Sequence, residues 1–316
     1  MAFTTSSIAL FAALAASTIS SGFSQDCGAT WTCRPTTTAP TLDADHSEWA
    51  DVKGIATDML MITGEEYAGG QASYKCMYDD EKIYFALEIP GEYRFNATDN
   101  KQCAAIATMM KIGPDASYIN MGACPDAFAG CADGVPASCD SYRVDIGAHW
   151  ELSGTEQGVE YGVSIADVEG VTTRSGNDLI ANKDDEYAVS PYCRFDDDDA
   201  AAGNEWAGAW LHTNPVDGEF GTYKYELSRL LTTESTTTDG QFVAGQTFEF
   251  GVALWDPFQT EAGWTEIGHY VTGCGTKWIN LELAVDDAGG ASGAGGGSSL
   301  FVVLAAATSA VVTALW

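Results

Sequence analysis

Apolar and polar residues alternate with a period of two over most of the chain between residues 40 and 285. Within residues 82–89, for example, Ile83, Phe85, Leu87 and Ile89 fall on one face. The same spacing recurs in residues 159–165, 223–227, 247–255 and 279–285. Such segments bury one face and expose the other, which is typical of antiparallel strands packed as two facing sheets. Because helical periodicity is sparse, the sequence predicts an all-β, immunoglobulin-like antiparallel β-sandwich.

Long loops are predicted around residues 122–141 and 170–205. The chain holds nine cysteines, and three of them, Cys124, Cys131 and Cys139, fall in the first loop. In an exported chain, cysteines usually form disulfides, here up to four with one cysteine left over. We therefore expect disulfides to hold the first loop in shape. The cysteine spacings include no Cys-x-x-Cys, so neither a thioredoxin-type centre nor covalent haem attachment is supported.

The N-terminal segment has the layout of a secretory signal. An apolar run at residues 8–19 is followed by small and polar residues up to Ser24, although no basic residue precedes it. This run is too short to span a bilayer. We interpret residues 1–24 as a cleaved signal peptide, with a buried N-terminal helix as the alternative. A glycosylation sequon at Asn96 is consistent with export.

The C-terminal segment has the layout of a glycolipid-anchor signal. A Gly/Ser-rich linker at residues 286–299 precedes an apolar tail at residues 300–316, and no basic residue follows. The attachment residue would lie within residues 289–293. A single transmembrane helix is the alternative, because the tail is about the minimum length for spanning. These two ends leave one large domain, predicted at residues 27–285.

Charge and motifs exclude several functional classes. The chain has 14 Lys and Arg against 45 Asp and Glu, a formal charge of −31, so nucleic acid and anionic lipid are not credible partners. No Gly-x-Ser-x-Gly motif indicates a hydrolase. The four histidines, at positions 46, 149, 212 and 269, include no His-x-His or HExxH spacing that would indicate a zinc or copper site. We expect a protein that is not itself an enzyme.

Six short segments have amino-acid sequences specific enough to compare with known protein families. Residues 41–49 read TLDADHSEW and residues 78–85 read YDDEKIYF; later come 206–210 (WAGAW), 225–230 (YELSRL), 245–256 (GQTFEFGVALWD) and 278–283 (WINLEL). In this order the blocks resemble the haem b-binding domain of ethylbenzene dehydrogenase-related proteins. The two opening blocks are also similar to other DOMON-like domains and to family 9 carbohydrate-binding modules. The resemblance covers residues 41–285 and implies a DOMON-like β-sandwich.

The resemblance implies a non-covalent haem b with two axial ligands. The family's Met-Gly step matches Met121, and the segment that carries the second ligand offers His269 or Lys277. Met109 is a fallback ligand; taken without the resemblance, a methionine in a sandwich is more often core filler. A thioether ligand favours reduced iron, which suits electron transfer. The implied function is one-electron transfer or redox sensing at the cell surface, with a redox partner protein or a small-molecule donor or acceptor.

A carbohydrate-binding or adhesion module without cofactor is the alternative. Exposed tryptophan rings stack on sugars, so Trp206, Trp210, Trp255 and Trp264 would line a glycan groove. The competing interpretation places these rings in the core between the sheets or in the wall of a haem pocket. A haem protein would be coloured and a sugar binder colourless.

Overall fold

A computed structural model of the chain describes residues 30–61, 63–96, 98–152, 157–158, 161–162, 184–196, 206–265, 268–272 and 278–285. The described strands are β1 (Thr30–Pro35), β2 (Ile55–Thr57), β3 (Met59–Met61), β4 (Ala72–Tyr78), β5 (Lys82–Glu92), β6 (Ala105–Lys111), β7 (Val144–Glu151), β8 (Tyr161–Gly162), β9 (Asp184–Ser190), β10 (Cys193–Asp196), β11 (Ala207–His212), β12 (Phe220–Leu230), β13 (Thr247–Trp255), β14 (Tyr270–Thr272) and β15 (Ile279–Leu283). Helix is limited there to short 3₁₀ segments at Ser47–Trp49, Asn100–Gln102, Pro125–Ala127 and Ala137–Tyr142. The predicted all-β class is confirmed.

The strands form two sheets that share β1. The first sheet runs β10-β9-β7-β6-β13-β15-β1, with β14 beside β13 and β3 beside β14. The second runs β1-β4-β5-β12-β11-β8, with β2 beside β4. Thr30–Cys33 pair with β15, whereas Arg34 and Pro35 pair with β4, so β1 crosses from one sheet to the other. Both β1 pairings are parallel, a departure from the predicted antiparallel pattern, while the other described pairs are antiparallel.

Large rings fill the core between the sheets. Phe85 of β5 stacks on Phe250 of β13 with centroids 5.4 Å apart, and Trp150 of β7 meets Tyr225 of β12 at 6.1 Å. Trp31 of β1 contacts both phenylalanines. The apolar face predicted for residues 82–89 is confirmed, because it is fully buried in this core, but the wetted opposite face is wrong there, since Tyr84 and Ala86 are buried against Trp49 and Met77. Burial of these rings drives the two sheets together.

A second apolar layer covers the outer face of the first sheet. We call it the outer layer; its buried members are Ala105, Ala107, Ala116, Val144, Ile146, Ala188, Trp255 and Trp264, with Met109, Met121, Ala253 and Trp278 half-buried against them. The expectation that one strand face is wetted is therefore wrong for β6, β7 and β13. The reason is compositional, since alanine, valine and tryptophan stand at alternate positions that would be polar on a wetted face.

Disulfides hold the loop at residues 122–141 as predicted. Cys124 bonds to Cys139, and Cys131 bonds to Cys193. A third disulfide, Cys33–Cys76, ties β1 to β4. The predicted loop at residues 170–205 is wrong in its described part, because β9 and β10 pair there as an antiparallel hairpin.

Several predictions fall outside the described residues. They concern the signal peptide at residues 1–24, the linker at 286–299, the tail at 300–316, and Lys277. Of the strand predicted at residues 159–165, the structure describes Tyr161 and Gly162, which form β8. In the described part of the chain, no helix is long and apolar enough to cross a membrane.

Candidate functional site

A β-bulge in β7 places His149 on the outer face of the first sheet. Thr108 of β6 pairs with Gly147 and Ile106 pairs with Trp150, so two residues of β7 stand opposite one residue of β6. Ala148 adopts a left-handed φ of 47° at this point. A bulge of this kind shifts the side-chain alternation by one residue. Trp150 therefore enters the core between the sheets, and His149 takes the opposite face.

His149 belongs to a buried charge network. Its Nδ1 lies 3.4 Å from the carboxylate of Glu186 in β9, which also accepts a hydrogen bond from Arg194. Burial alone would raise the pKa of Glu186, but the close contact with His149 and the charge of Arg194 lower it to about 2. Glu186 is therefore ionised at neutral pH, which favours a His149 ring that carries its proton on Nδ1.

Trp255 contacts two histidines of the outer layer. Its ring centroid lies 5.3 Å from that of His149 and 4.9 Å from that of His269. Burial, followed by the charges of His149 and Arg194, lowers the pKa of His269 to about 4. Its Nδ1 is buried and has no hydrogen-bond partner among the described residues. A neutral imidazole has one nitrogen with a free lone pair, so His269 is chemically able to coordinate a metal.

Met121 lies in a turn of unusual backbone conformation. Four successive residues have positive φ: Asn120 at 62°, Met121 at 45°, Gly122 at 102° and Ala123 at 64°. Residues other than glycine rarely adopt this region of backbone conformation, and three of these four residues are not glycine. Two backbone hydrogen bonds between Ser117 and Gly122 close the turn. Strain of this kind persists only where the surrounding structure enforces it, and it is common at ligand sites.

Tyr118 holds the Met121 turn against the sheet. A Cβ at Gly251 of β13 would lie 2.5 Å from the Tyr118 ring, so glycine allows this close approach. The Tyr118 hydroxyl is 3.3 Å from the carbonyl oxygen of Thr272 and 3.2 Å from its Oγ1. Trp278 packs edge-on against the same ring, 5.0 Å away. The turn is therefore fixed to β13 and β14 on the outer side.

Three of the four candidate ligands reach the outer layer. Met109 and Met121 pack directly against it, and His269 joins it through Trp255; Lys277 lies outside the described residues. Thioether sulfur and neutral imidazole nitrogen are both established haem-iron ligands. The alanines of β6 and β13 give the layer a flat floor of small side chains. The donor types therefore match those that bind haem iron.

The core between the sheets also contains buried polar atoms without hydrogen-bond partners, but unlike His269 Nδ1 they are not suited to bind a metal. Trp150 Nε1 and Tyr225 OH are buried without a hydrogen-bond partner. An indole N–H offers no lone pair to a metal, and burial raises the pKa of the Tyr225 phenol well above its usual value. Among these buried groups, His269 is the one suited to a metal at neutral pH.

The histidines outside the outer layer have structural partners. His46 lies directly before the 3₁₀ segment Ser47–Trp49, and its ring nitrogens lie 3.1 Å from Glu88 and 3.2 Å from the carbonyl oxygen of Tyr225. His212 contacts the carbonyl oxygens of Asn214 and Gly91. Neither ring is available to a ligand.

An acidic cluster lies elsewhere in the described residues. Asp43, Glu48 and Glu226 bring their carboxylates within 4.8 Å of one another. Glu226 already accepts hydrogen bonds from two backbone amides and from Trp49 Nε1. These hydrogen bonds hold the turn at residues 43–49, and this structural role explains the cluster.

The tryptophans expected to line a glycan groove are all buried. Trp206 and Trp210 lie in the core between the sheets, whereas Trp255 and Trp264 lie in the outer layer, each at most 6% exposed. The prediction of an exposed tryptophan groove is wrong, because these rings fill the two apolar layers. The competing interpretation, in which they fill the core or wall a pocket, fits their positions.

Two aromatic rings are exposed on the disulfide-bonded loops. Phe128 and Tyr192 are 56% and 64% exposed, with ring centroids 6.2 Å apart. The Cys131–Cys193 disulfide fixes the two loops next to each other. Ser190 Oγ donates a further hydrogen bond to the carbonyl oxygen of Ala127. The exposed rings are therefore held in place before any ligand arrives.

No protein-family model and no curated protein matches the chain. A family 9 carbohydrate-binding module from Caldicellulosiruptor kristjanssonii is similar in structure; its glucose complex shows 9% identity and a TM-score of 0.38, covering 82% of this chain and 98% of that one. Its cellotriose complex shows 10% identity and a TM-score of 0.39, covering 85% and 100%. A Bacteroides uniformis protein with suggested carbohydrate binding shows 8% identity and a TM-score of 0.41, covering 81% and 100%.

These likenesses are too distant to carry a functional argument, and they add no support for the ethylbenzene dehydrogenase resemblance. The fold assignment rests on the strand pairings themselves, and function rests on the site.

Sequence reasoning missed the network around His149. His149 was considered there only as one of four histidines without metal-site spacing, and Glu186 and Arg194 were not singled out. The available signal was the adjacent pair His149 and Trp150. Successive residues of a strand point to opposite faces of the sheet, so a buried Trp150 places His149 on the other face. The pairing of β9 with β7, which supplies Glu186, has no local sequence signature.

Proposed function

We propose that this protein binds haem b non-covalently at the outer layer and serves in one-electron transfer or redox sensing. The observation that carries the proposal is the buried, unpartnered Nδ1 of His269, in contact with Trp255 of the same layer that Met121 packs against. A buried polar atom without a partner calls for an explanation, and an absent ligand is one. The resemblance to ethylbenzene dehydrogenase-related domains points to the same two residues.

Each residue has a defined task in this proposal. Met121 would donate its thioether sulfur from the strained turn, and His269 would donate an imidazole nitrogen; Lys277 is the alternative nitrogen donor and Met109 the fallback sulfur donor. Bound haem supplies one-electron chemistry, and methionine ligation favours its reduced form. Trp255, Trp264 and Trp278 exclude water from the layer. The charge network of Glu186 and His149 supports the Trp255 ring, which His149 contacts at 5.3 Å between ring centroids.

The proposed role is not catalytic. The sequence offers no flavin, molybdenum or nicotinamide motif, so any catalytic step belongs to a redox partner protein or to a small-molecule donor or acceptor. The formal charge of −31 favours cationic partners through long-range steering.

Ligand variants test the proposal. Haem titration of the full chain, followed by its Soret absorbance, is expected to show binding that Met121→Ala and His269→Ala each weaken at least about tenfold, since each removes one axial ligand. Met61→Ala, at a half-buried methionine outside the outer layer, is the matched control and is expected to change nothing. Unchanged spectra and midpoint potentials in both ligand variants would rule the assignment out.

A carbohydrate-binding module is the second candidate. The exposed Phe128–Tyr192 pair favours it, because rigid exposed rings stack on pyranose faces at low entropic cost. Binding of cellotriose by a colourless preparation, lost in Tyr192→Ala and kept in Val216→Ala, would support this function. Val216 is a suitable control because it is 56% exposed and distant in sequence from the disulfide-bonded loops.

We also propose that the protein is secreted and attached to the outer leaflet by a lipid anchor, with a single-pass C-terminal helix as the alternative. Three disulfides among the described residues suit an oxidising compartment. Asn96 accepts hydrogen bonds from Thr98 of its own sequon and is the expected glycan site. Release from intact cells by a phosphatidylinositol-specific phospholipase tests the anchor, and retention in the membrane would favour the helix.

A further inference from the structure

An acidic cleft of 780 Å³ lies apart from the outer layer. Four parts of the chain form it: the loop after β3, the end of β5, the start of β12, and the segment from Asp256 to Tyr270. Its wall combines aromatic rings, carboxylates and an amide, namely Tyr67, Phe220, Phe258, Tyr270, Glu65, Glu92, Asp256 and Gln259. This volume accommodates a small organic molecule or one side chain of a partner.

Glycines form the floor of this cleft. A Cβ on Gly91 would lie 2.5 Å from the Tyr67 hydroxyl, and one on Gly69 would lie 2.4 Å from the Tyr67 ring. Larger residues at these positions would displace Tyr67. The absence of side chains brings the backbone close to any occupant.

The cleft wall carries negative charge without a balancing cation. Glu65, Glu92 and Asp256 line it, and no lysine or arginine is among its described lining residues. Burial raises the pKa of Asp256 and the charge of Glu92 adds to the rise, while a hydrogen bond from the Phe258 amide and the charge of Arg94 offset part of it. Arg94 is nearby, but its guanidinium lies over the Phe258 ring at 3.8 Å and donates to the carbonyl oxygen of Pro257. The carboxylates are therefore short of positive partners.

Two tyrosines of the wall have hydroxyls without hydrogen bonds. Tyr67 and Tyr270 are 8% and 6% exposed, and their ring centroids lie 5.0 Å apart. Neither hydroxyl bonds to any of the described residues, although both side chains line the cleft. The two hydroxyls are not among the fully buried polar atoms, so they remain open to water or to a ligand in the cleft.

We propose that this cleft binds the ammonium or guanidinium group of an organic cation, either a polyamine or a basic side chain of another protein. Carboxylates at Asp256 and Glu92 would accept charge-assisted hydrogen bonds, and the Phe220 and Tyr270 rings would offer their faces to the cation. The two tyrosine hydroxyls would accept the remaining N–H groups. None of the residues that line this cleft belongs to the outer layer, although Gly268 and Tyr270 flank His269 in sequence.

Calorimetric titration of the full chain with spermidine and with an arginine-containing peptide tests the proposal. Asp256→Asn keeps the side-chain shape and is expected to weaken binding about tenfold, and Tyr270→Phe about threefold, because each removes one hydrogen-bonding group. Asp133→Asn, at an exposed carboxylate on the disulfide-bonded loop, makes the same charge change elsewhere and should leave affinity unchanged. Thermal unfolding of each variant verifies that it is folded.

The outcomes separate the possible ligands. Binding of spermidine alone, or of the peptide alone, supports the proposal and shows which of the two cations the cleft binds. Equal weakening in Asp256→Asn and Asp133→Asn would show non-specific attraction to an acidic surface and would overturn the proposal. Cellotriose binding that is lost in Tyr270→Phe, without binding of either cation, would overturn it in favour of a saccharide site.

Discussion

The two faces of the first sheet are both buried, but they are built from different residues. On the inner face, β6 and β13 present Ile106, Met110, Phe250, Val252 and Leu254 to the core between the sheets. On the outer face, the same strands present Ala105, Ala107, Met109, Ala253 and Trp255. Burial alone therefore does not distinguish a structural core from a candidate site. The kind of unpaired atom does, since the core between the sheets holds unpaired indole and phenol groups, whereas His269, in contact with Trp255 of the outer layer, has an unpaired imidazole nitrogen.

The inner face should be the more sensitive to loss of volume. Phe85→Ala removes a ring that contacts Trp31, Trp206 and Phe250, and is expected to lower the free energy of unfolding by about 4 kcal/mol. Phe128→Ala makes the same change at an exposed ring and should cost less than about 0.5 kcal/mol. Urea denaturation measures both variants. Similar losses in the two would contradict the assignment of the core.

The outer layer should depend on pH through Glu186. Its pKa is lowered to about 2 from an ordinary value of 4.5, so its contribution is complete above pH 4.5 and is lost as the pH falls towards 2. The stability gap between the wild type and Glu186→Gln is expected to be about 3 kcal/mol at pH 7 and about 1 kcal/mol at pH 3. Denaturation across this pH range provides the measurement. A stability difference that does not change with pH would show that the folded structure does not lower the pKa of Glu186.

Enlarging an alanine should separate the two faces. Ala72 is fully buried in the core between the sheets, so Ala72→Leu is expected to destabilise the fold by about 2 kcal/mol through overpacking. Ala253→Leu, on the half-buried floor of the outer layer, should cost less than about 1 kcal/mol but lower haem retention about tenfold. Parallel unfolding and Soret titrations test this pair. Normal haem retention in Ala253→Leu would place the cofactor elsewhere.

The smallest expected effect concerns the turn at Met121. Ala123 has a φ of 64°, so Ala123→Gly is expected to stabilise the protein by about 0.5 kcal/mol through relief of strain. Ala209→Gly, in the ordinary strand β11, should instead destabilise it by about 1 kcal/mol. Thermal unfolding of both variants checks the signs. Destabilisation by Ala123→Gly would contradict the strained-turn interpretation.

Local alternation predicted the sandwich well, but long-range pairing escaped it. The face of residues 82–89 followed directly from period-two spacing, and the disulfide-bonded loop followed from clustered cysteines. The bulge at Ala148 was not visible, because it depends on the partner strand rather than on local composition. The passage of β1 between the sheets likewise depends on distant partners.

The candidate site was predictable only in part. Met121 and His269 came from a resemblance; Met121 packs against the outer layer, and His269 contacts Trp255, a member of that layer. The support of Trp255 by His149 and Glu186 required three strands in register, which sequence spacing does not encode. The acidic cleft combines four distant segments and left no motif in the sequence.

A visible absorption spectrum of the natively expressed protein, before and after dithionite, tests the central claim most directly. The account predicts a Soret band that shifts to longer wavelength on reduction, together with the sharp α and β bands of six-coordinate ferrous haem. A colourless preparation that also fails to develop these bands when haem is added would contradict it, and would leave the outer layer as a second hydrophobic core.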